Sequence, residues 1–415
     1  MSIPEIIFKP ADILIPKLES MEKWPVIACD QFTSQSDYWN NVRDMIGNFP
    51  STMNMIFPET YLGDKNEQRV HEIHEYMKRY LQEGIFEEYK NSFIYVERTL
   101  ENKKIRKGIV GVIDLEAYDC TASTHSLIRP TEETVSSRIP PRRHSREAVP
   151  LELSHVLLMC DDRENKIFEP LNYQKAQMKK LYDFDLMLGG GHIAGWLIND
   201  KFALELLDRI DVYSEDIREH YKSVSIAPVI FLVGDGNHSL AAAKACYEDL
   251  KIQLPPKEAL KHPARYAMVE LVNLQDEAIS IEGIHRIVTE VDVQELLHDL
   301  KNHIGGDGSR AIEWNSGENC GIIHLKDSDH RLPLEILQEY LDDYIRTNGG
   351  KIDYIHGKDA IQQLSQQRNS IGFTMNSITK NDLMEYVALR GTFPRKTFSI
   401  GHAKEKRYYL EARRL

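Results

Sequence analysis

The stretch VIFLVGDGNHSLAAAKACYEDL, residues 229–250, decides how this chain is read. It opens as an apolar, β-branched run of the kind found in a buried central strand, breaks at Gly234, Asp235 and Gly236, and continues as an alanine-rich run with strong helical propensity. Strand, tight turn and helix are therefore predicted in succession, with Ser239 as the capping residue. Such a junction presents free backbone N–H groups and the positive end of a helix dipole, which together accommodate a phosphate or a carboxylate. Gly236 lets a ligand approach the backbone closely. Asp235 is suited to bind a metal ion or take a hydroxyl proton, and His238 to titrate near neutrality or contact a phosphoryl oxygen. Lys244 follows about one and a half turns into the helix. The bland reading is a common Asp-Gly turn with a satisfied polar His238. Against it, a hairpin turn leads into a strand, and here a helix follows.

Working outward, KWPVIACDQFT reads as a short buried strand that runs into a polar turn holding Asp30 and Gln31. From Asn66 to about Tyr89, the apolar residues Val70, Ile73, Met77 and Leu81 recur every three or four positions, one stripe of an amphipathic helix. His71 and His74 share that helix three positions apart, whereas a zinc-protease motif needs them four apart, so HEIHE is read as a solvated face. SFIYVERTLENKKIRKGIVGVIDL is predicted as an antiparallel hairpin around Glu101 to Lys104. LSHVLLMC is a buried strand, QKAQMKKLYDF a connector or helix, and Gly189 to Gly191 a turn before a helix-like run, their spacing matching neither a dinucleotide fingerprint nor a P-loop. A helix around Glu215 to Ser223, a strand at YAMVELVNL and a helix at VQELLHDLKNHI complete the pattern. No repeat of fixed period is present.

Between Ile128 and Pro150 the chain is dense in arginine, with Arg129, Arg138, Arg142, Arg143 and Arg146 close together in a protein whose formal charge is −13. This is either an anion-binding loop or a surface loop whose arginines pair with Glu132, Glu133 and Glu147.

Composition narrows the class. With 51 basic against 64 acidic residues, there is no electrostatic footprint for a nucleic-acid backbone or an anionic membrane. No apolar run is long enough to span a bilayer and the first residues lack the apolar core of a signal peptide, so a soluble cytoplasmic enzyme is expected. The five cysteines are scattered without a CxxC pair, which disfavours structural zinc and a disulfide framework. A length of 415 residues exceeds one ordinary core, so two or three packed lobes are expected, at 1–125, 126–290 and 291–415.

Asp235, Gly236, Asn237, His238 and Ser239 resemble the DGHHR-like element that follows an apolar strand in the family catalogued as domain of unknown function 1015. The resemblance extends through RPTEET near Glu132, GIHRIV with His285 and Arg286, and FPRKTF with Lys396. The element is in turn similar to the corresponding turn of the ParB and sulfiredoxin superfamily, which includes nucleotide-binding proteins and free-serine kinases. The resemblance thus implies a mixed α/β protein, a ParB/sulfiredoxin-like core embedded in a larger mixed-sheet chain. The chain departs from the pattern twice, with Asn237 for the first histidine and Ser239 for the arginine. A phosphate contact made by that arginine does not carry over, and another basic group must replace it. Sulfiredoxin chemistry needs a reactive cysteine in this turn, which Asn237 cannot supply.

The activity so implied is phosphorylation of free L-serine by pyrophosphate or a nucleotide, with Mg²⁺ and basic groups holding phosphates. Asp235 would accept the proton or bind the metal, and His238 with Gly236, Asn237 and Ser239 would face the transferred phosphoryl group. Arg129, Arg138 and Lys396 would hold donor phosphates, Asp30 and Gln31 would line the amino-acid pocket, and Glu132, His285 and Arg286 are further binding candidates. The rival readings are a non-catalytic protein that holds a nucleotide or other anion, and a phosphatase acting on phosphoserine.

Overall fold

A computed structural model describes residues 6–33, 35–61, 66–134, 143, 146, 149–328 and 331–415. In it the chain is a mixed α/β protein, and residues 229–250 fold as strand, turn and helix. The strand Phe231–Asp235 lies between Ile128–Pro130, parallel to it, and Leu157–Cys160, antiparallel. Its register against the latter shifts between Val233 and Asp235, a bulge that bends the strand end and re-aims Asp235. The helix Asn237–Gln253 starts at once.

The chain divides into two compact units, the first made of residues 1–279, 383–392 and 401–415, the second of 280–382 and 393–400. The first unit is built on a twelve-stranded mixed sheet. Its spine runs Ile128–Pro130, Phe231–Asp235, Leu157–Cys160, Tyr266–Asn273, Ile105–Asp114, Phe86–Thr99, Ala11–Pro16, Ala412–Arg414 and Leu151–Leu153. Both faces of this sheet are covered. Phe93, Tyr95 and Ile109 point into one apolar core with Leu240 of the motif helix, while the alternate residues Ile94, Val96 and Val110 point into a second core with Trp24, Met268 and Tyr409. Two-sided burial explains why these strands are near-continuous apolar runs.

The second unit has a five-stranded antiparallel sheet, in the order Asn319–His324, Ala311–Ser316, Ser370–Thr374, His285–Thr289, Lys351–Ile355. Helices Val293–Ile304 and Pro333–Asn348 place Leu296, Leu300, Leu337 and Leu341 in one core with Val288, Ile371 and Phe373.

The hairpin forms as predicted, Phe86–Thr99 pairing with Ile105–Asp114. Four local expectations change. The helix from Asn66 ends at Gln82, because Phe86 to Tyr89 pair with Ala11–Pro16 instead of continuing it. The run after the triple glycine is a strand, His192–Ile198, held from both sides by Phe86–Thr99 and Lys180–Asp185. The turn itself is forced, since a Cβ on Gly191 would lie 2.0 Å from the carbonyl oxygen of Thr99. QKAQMKKLYDF divides, ending the helix Phe168–Gln174, passing through a 3₁₀ turn and starting the strand Lys180–Asp185. Finally, the unit division falls between 279 and 280 and not at 125 or 290, because strands from both earlier stretches interleave in one sheet. No helix among the described residues is long and apolar enough to cross a membrane.

Candidate functional site

The N-cap of the motif helix is Gly236, in the left-handed region at φ 80°, and Ser239, the expected cap, is the third helical residue. Glycine is required at the cap by backbone and by space: an added Cβ would sit 3.0 Å from Val156 Cα and 3.5 Å from the His155 ring. Gly236 offers no side chain to cap this helix, whose first N–H groups lack an intrahelical partner.

Two oxygens at this turn are exceptional. Oδ2 of Asp235 and Oδ1 of Asn237 are buried and accept no hydrogen bond among the described residues. Leaving such an acceptor unsatisfied costs roughly 1–3 kcal/mol, more when it is charged. Against Oδ1 of Asp235 stands Nζ of Lys406, 3.6 Å away, with the two side chains 17% and 10% exposed.

Around the turn the first unit gathers three more segments. Gly236 packs on His155, whose Nδ1 lies 2.7 Å from the Tyr409 hydroxyl. Burial, with Cys29 and Asp30 adding to it, pushes the Tyr409 phenol well above its ordinary value, so it remains a hydroxyl. Tyr408 and Tyr409 pair with Ile27 and Val26, and Cys29 and Asp30 follow close to the Tyr409 hydroxyl. A cavity of about 390 Å³ opens beside them, with Cys29, Glu59, His155, Ser239, Met268 and Tyr409 in its wall. That is the size of a small-molecule site.

Buried ion pairs fix this geometry. Arg98 donates to the carbonyls of Lys404, Glu405 and Lys406 and of Gly190, which clamps the backbone that carries Lys406. Burial, helped by Arg106, pulls its guanidinium down to about 10, leaving it charged at neutral pH. Arg407 joins Glu270 at 2.8 Å and Glu411 at 2.6 Å, and also donates to the carbonyl of Ser154, the neighbour of His155. Burial alone would raise the Glu270 carboxyl, yet Arg106 and Arg407 hold it below the ordinary range. Glu152 is held low in the same way by Arg146 and Arg413.

Asp235, Gly236, Asn237, His238, Ser239, Asp30 and Gln31 all belong to the first unit. Gln31 donates to Asp30 at 3.0 Å. Arg129 is elsewhere in its bonding: buried at the start of the sheet, it spends its donors on the carbonyls of Ser126, Ala227, Pro228 and Val387. Glu132 follows it, one residue past Thr131, which binds the Val233 carbonyl at 2.8 Å. Arg138 and Arg142 lie outside the described residues, while Arg143 pairs with Asp249 and Arg146 with Glu152. Lys244 turns away to the Leu115 carbonyl and Glu248. His285, Arg286 and Lys396 belong to the second unit. There, His285 accepts from the Met375 N–H, Arg286 is buried against Gln338 and the Ile284 carbonyl, and Lys396 is exposed. Sequence reading missed His155, Lys406 and Tyr409. The dense basic character of KEKRYYLEARRL was the available signal, but nothing local ties it to residue 235.

The fold is thus that of a mixed α/β protein whose motif is a strand–turn–helix junction. The chain belongs to the family described as protein of unknown function DUF1015, whose model it matches over residues 10–410. No curated protein matches it. Among solved structures it is similar to a conserved hypothetical protein from Pyrococcus furiosus at 14% identity, over 75% of this chain and 96% of that one, with a TM-score of 0.37. It is similar also to a free serine kinase in complex with AMP, at 13% identity over 74% and 92% with a TM-score of 0.39. A third is SbnI from Staphylococcus aureus, truncated at its C-terminus, at 11% identity over 70% and 82% with a TM-score of 0.37.

Proposed function

We propose that the chain is a phosphotransferase that moves a phosphoryl group from pyrophosphate or a nucleotide to the hydroxyl of free L-serine, giving O-phosphoserine. One observation carries the reading: the buried, unsatisfied oxygens of Asp235 and Asn237 stand at an uncapped helix N-terminus beside an ammonium. A carboxylate oxygen kept dry and without a donor is placed to take a proton from a bound hydroxyl. The adjoining N–H groups and Lys406 favour an anion a few ångströms away. The motif's resemblance to that of free-serine kinases supplies the acceptor.

In the step itself the serine Oγ attacks phosphorus, its proton passes to Oδ2 of Asp235, and the P–O bond to the leaving group breaks with its electron pair. Orthophosphate leaves from pyrophosphate, and the shortened nucleotide from a nucleotide donor. Catalysis is then mostly positioning and charge neutralisation. His238 faces the transferred group with the turn backbone, and Asp30 with Gln31 binds the amino acid.

Magnesium prefers hard oxygens and binds through one or two protein groups plus substrate phosphates. Among the described residues no group of three or more His, Cys, Asp or Glu forms a complete metal site. If Asp235 binds the metal instead of taking the proton, its oxygen and Oδ1 of Asn237 fit the smaller requirement, and together with donor phosphates they would hold the ion, which would supply neutralisation of donor charge.

Purified protein given serine, Mg²⁺ and pyrophosphate, ADP or ATP should form phosphoserine, read by mass spectrometry, and Asp235→Asn should lower the rate by about 10²-fold or more. No product from folded protein with any donor sinks the reading. Binding without turnover would make the protein an anion-binding regulator, and release of phosphate from phosphoserine alone would make it a phosphatase.

A further inference from the structure

Ser239 stands where the family motif carries an arginine, and in the structure it lines the 390 Å³ cavity instead of offering a charge. The basic residues described near the motif are mostly committed. Arg129 is held by four carbonyls, Lys244 by a carbonyl and Glu248, and Arg146 by Glu152. Lys406 differs: its side chain is nine-tenths buried, its backbone is clamped by Arg98, and among the described residues its ammonium donates no hydrogen bond. Its nearest carboxylate oxygen is Oδ1 of Asp235 at 3.6 Å, beyond hydrogen-bonding range. Its stem is packed while its ammonium, unlike Oδ2 of Asp235, is not sealed from solvent, so its three donors are open to a ligand. Asp235 Oδ2 and Asn237 Oδ1, the other unsatisfied groups at this turn, show that polar capacity is concentrated here.

Resting on the phosphotransfer reading, we infer that Lys406 is the phosphate-binding cation of the site, replacing in space the arginine that the sequence lacks at position 239. Its ammonium binds the non-bridging oxygens of the phosphoryl group as the P–O bond to the leaving group breaks and the bond to serine Oγ forms. A lysine serves as a compact point charge, where an arginine would have offered a bidentate fork. The charge comes from the chain's late return to the first unit and not from the motif helix.

Calorimetric binding of pyrophosphate and of ADP, with Mg²⁺ and without serine, tests this beside the turnover assay. Lys406→Met should weaken donor binding about tenfold to a hundredfold, and raise the donor KM while leaving the serine KM within about threefold, with an unchanged melting curve. Lys406→Arg should stay near wild type. Ser239→Arg in the Lys406→Met background should restore part of the donor affinity, since the cavity beside it has room; a merely structural lysine would not be rescued this way. Equal donor binding by wild type and Lys406→Met overturns the role of Lys406 and leaves phosphotransfer standing. Loss of binding on substitution, with no phosphoserine from wild type, overturns phosphotransfer and leaves the role of Lys406 standing. Wild-type protein that binds neither anion overturns both.

Discussion

The two units solve the same packing problem with different materials. The second fills its core with leucine, isoleucine and aromatic side chains on one face of an antiparallel sheet. Its buried Arg286 donates to Gln338 and to the Ile284 carbonyl. The first unit covers both faces of its sheet and still buries charge, setting Glu270 between Arg106 and Arg407, and Glu152 between Arg146 and Arg413. Buried ion pairs of this kind add little net stability over an apolar core, but breaking one is expensive. They occur where Ser154, His155 and Lys406 must be held against the motif turn. The difference teaches that the first unit trades stability for geometry around the motif turn.

The largest effect expected from this contrast is on the charged side. Glu270→Leu leaves Arg106 without its carboxylate and should destabilise the first unit by about 3–5 kcal/mol, read in urea unfolding. A smaller loss in that variant than in Leu337→Ala would break the comparison. Leu337→Ala, in the core of the second unit, should cost about 2–5 kcal/mol through the cavity it leaves, with pyrophosphate binding at the motif unchanged. Next is Gly236→Ala, which forces a side chain into the left-handed region and should cost about 1–2 kcal/mol while lowering anion affinity. The smallest effect is in pH. Burial, with Lys358, Arg286 and His356, pulls His285 down to about 4. Its neutral form is therefore favoured by folding and the unfolded chain binds the extra proton. That stabilisation is complete above the ordinary value of about 6.5 and is lost as pH falls from there toward 4. Melting of the second unit should follow this window, and His285→Asn should flatten it.

Much of the fold was legible because periodicity reported burial. The hairpin, the motif and the helix Val293–Ile304 each carry their pattern within a few residues. The misreadings share a cause. HIAGWLI is almost wholly buried between two strands and so lacks the alternation that marks a one-sided strand. The helix from Asn66 was read too long because its apolar stripe runs straight into the apolar start of a strand. At the site, Asp235, Asn237 and His238 were visible because turn chemistry is local. Lys406 and His155 were not, since only the order of strands brings them there. Arg129 misled because composition shows charge and not the carbonyls that absorb it.

The split of the first unit around the second also has a meaning in time. Residues 401–415, which carry Lys406, Arg407 and Tyr409, are made after the whole of the second unit. Because domains fold as they emerge from the ribosome, the motif turn must wait, with its helix already formed, until those residues are synthesised. A chain released at residue 400 would carry Asp235 but neither the Lys406 ammonium beside it nor Tyr409 of the cavity wall. On the proposed reading, the order of synthesis therefore delays anion binding until residues 401–415 have been made, so that binding reports on their synthesis.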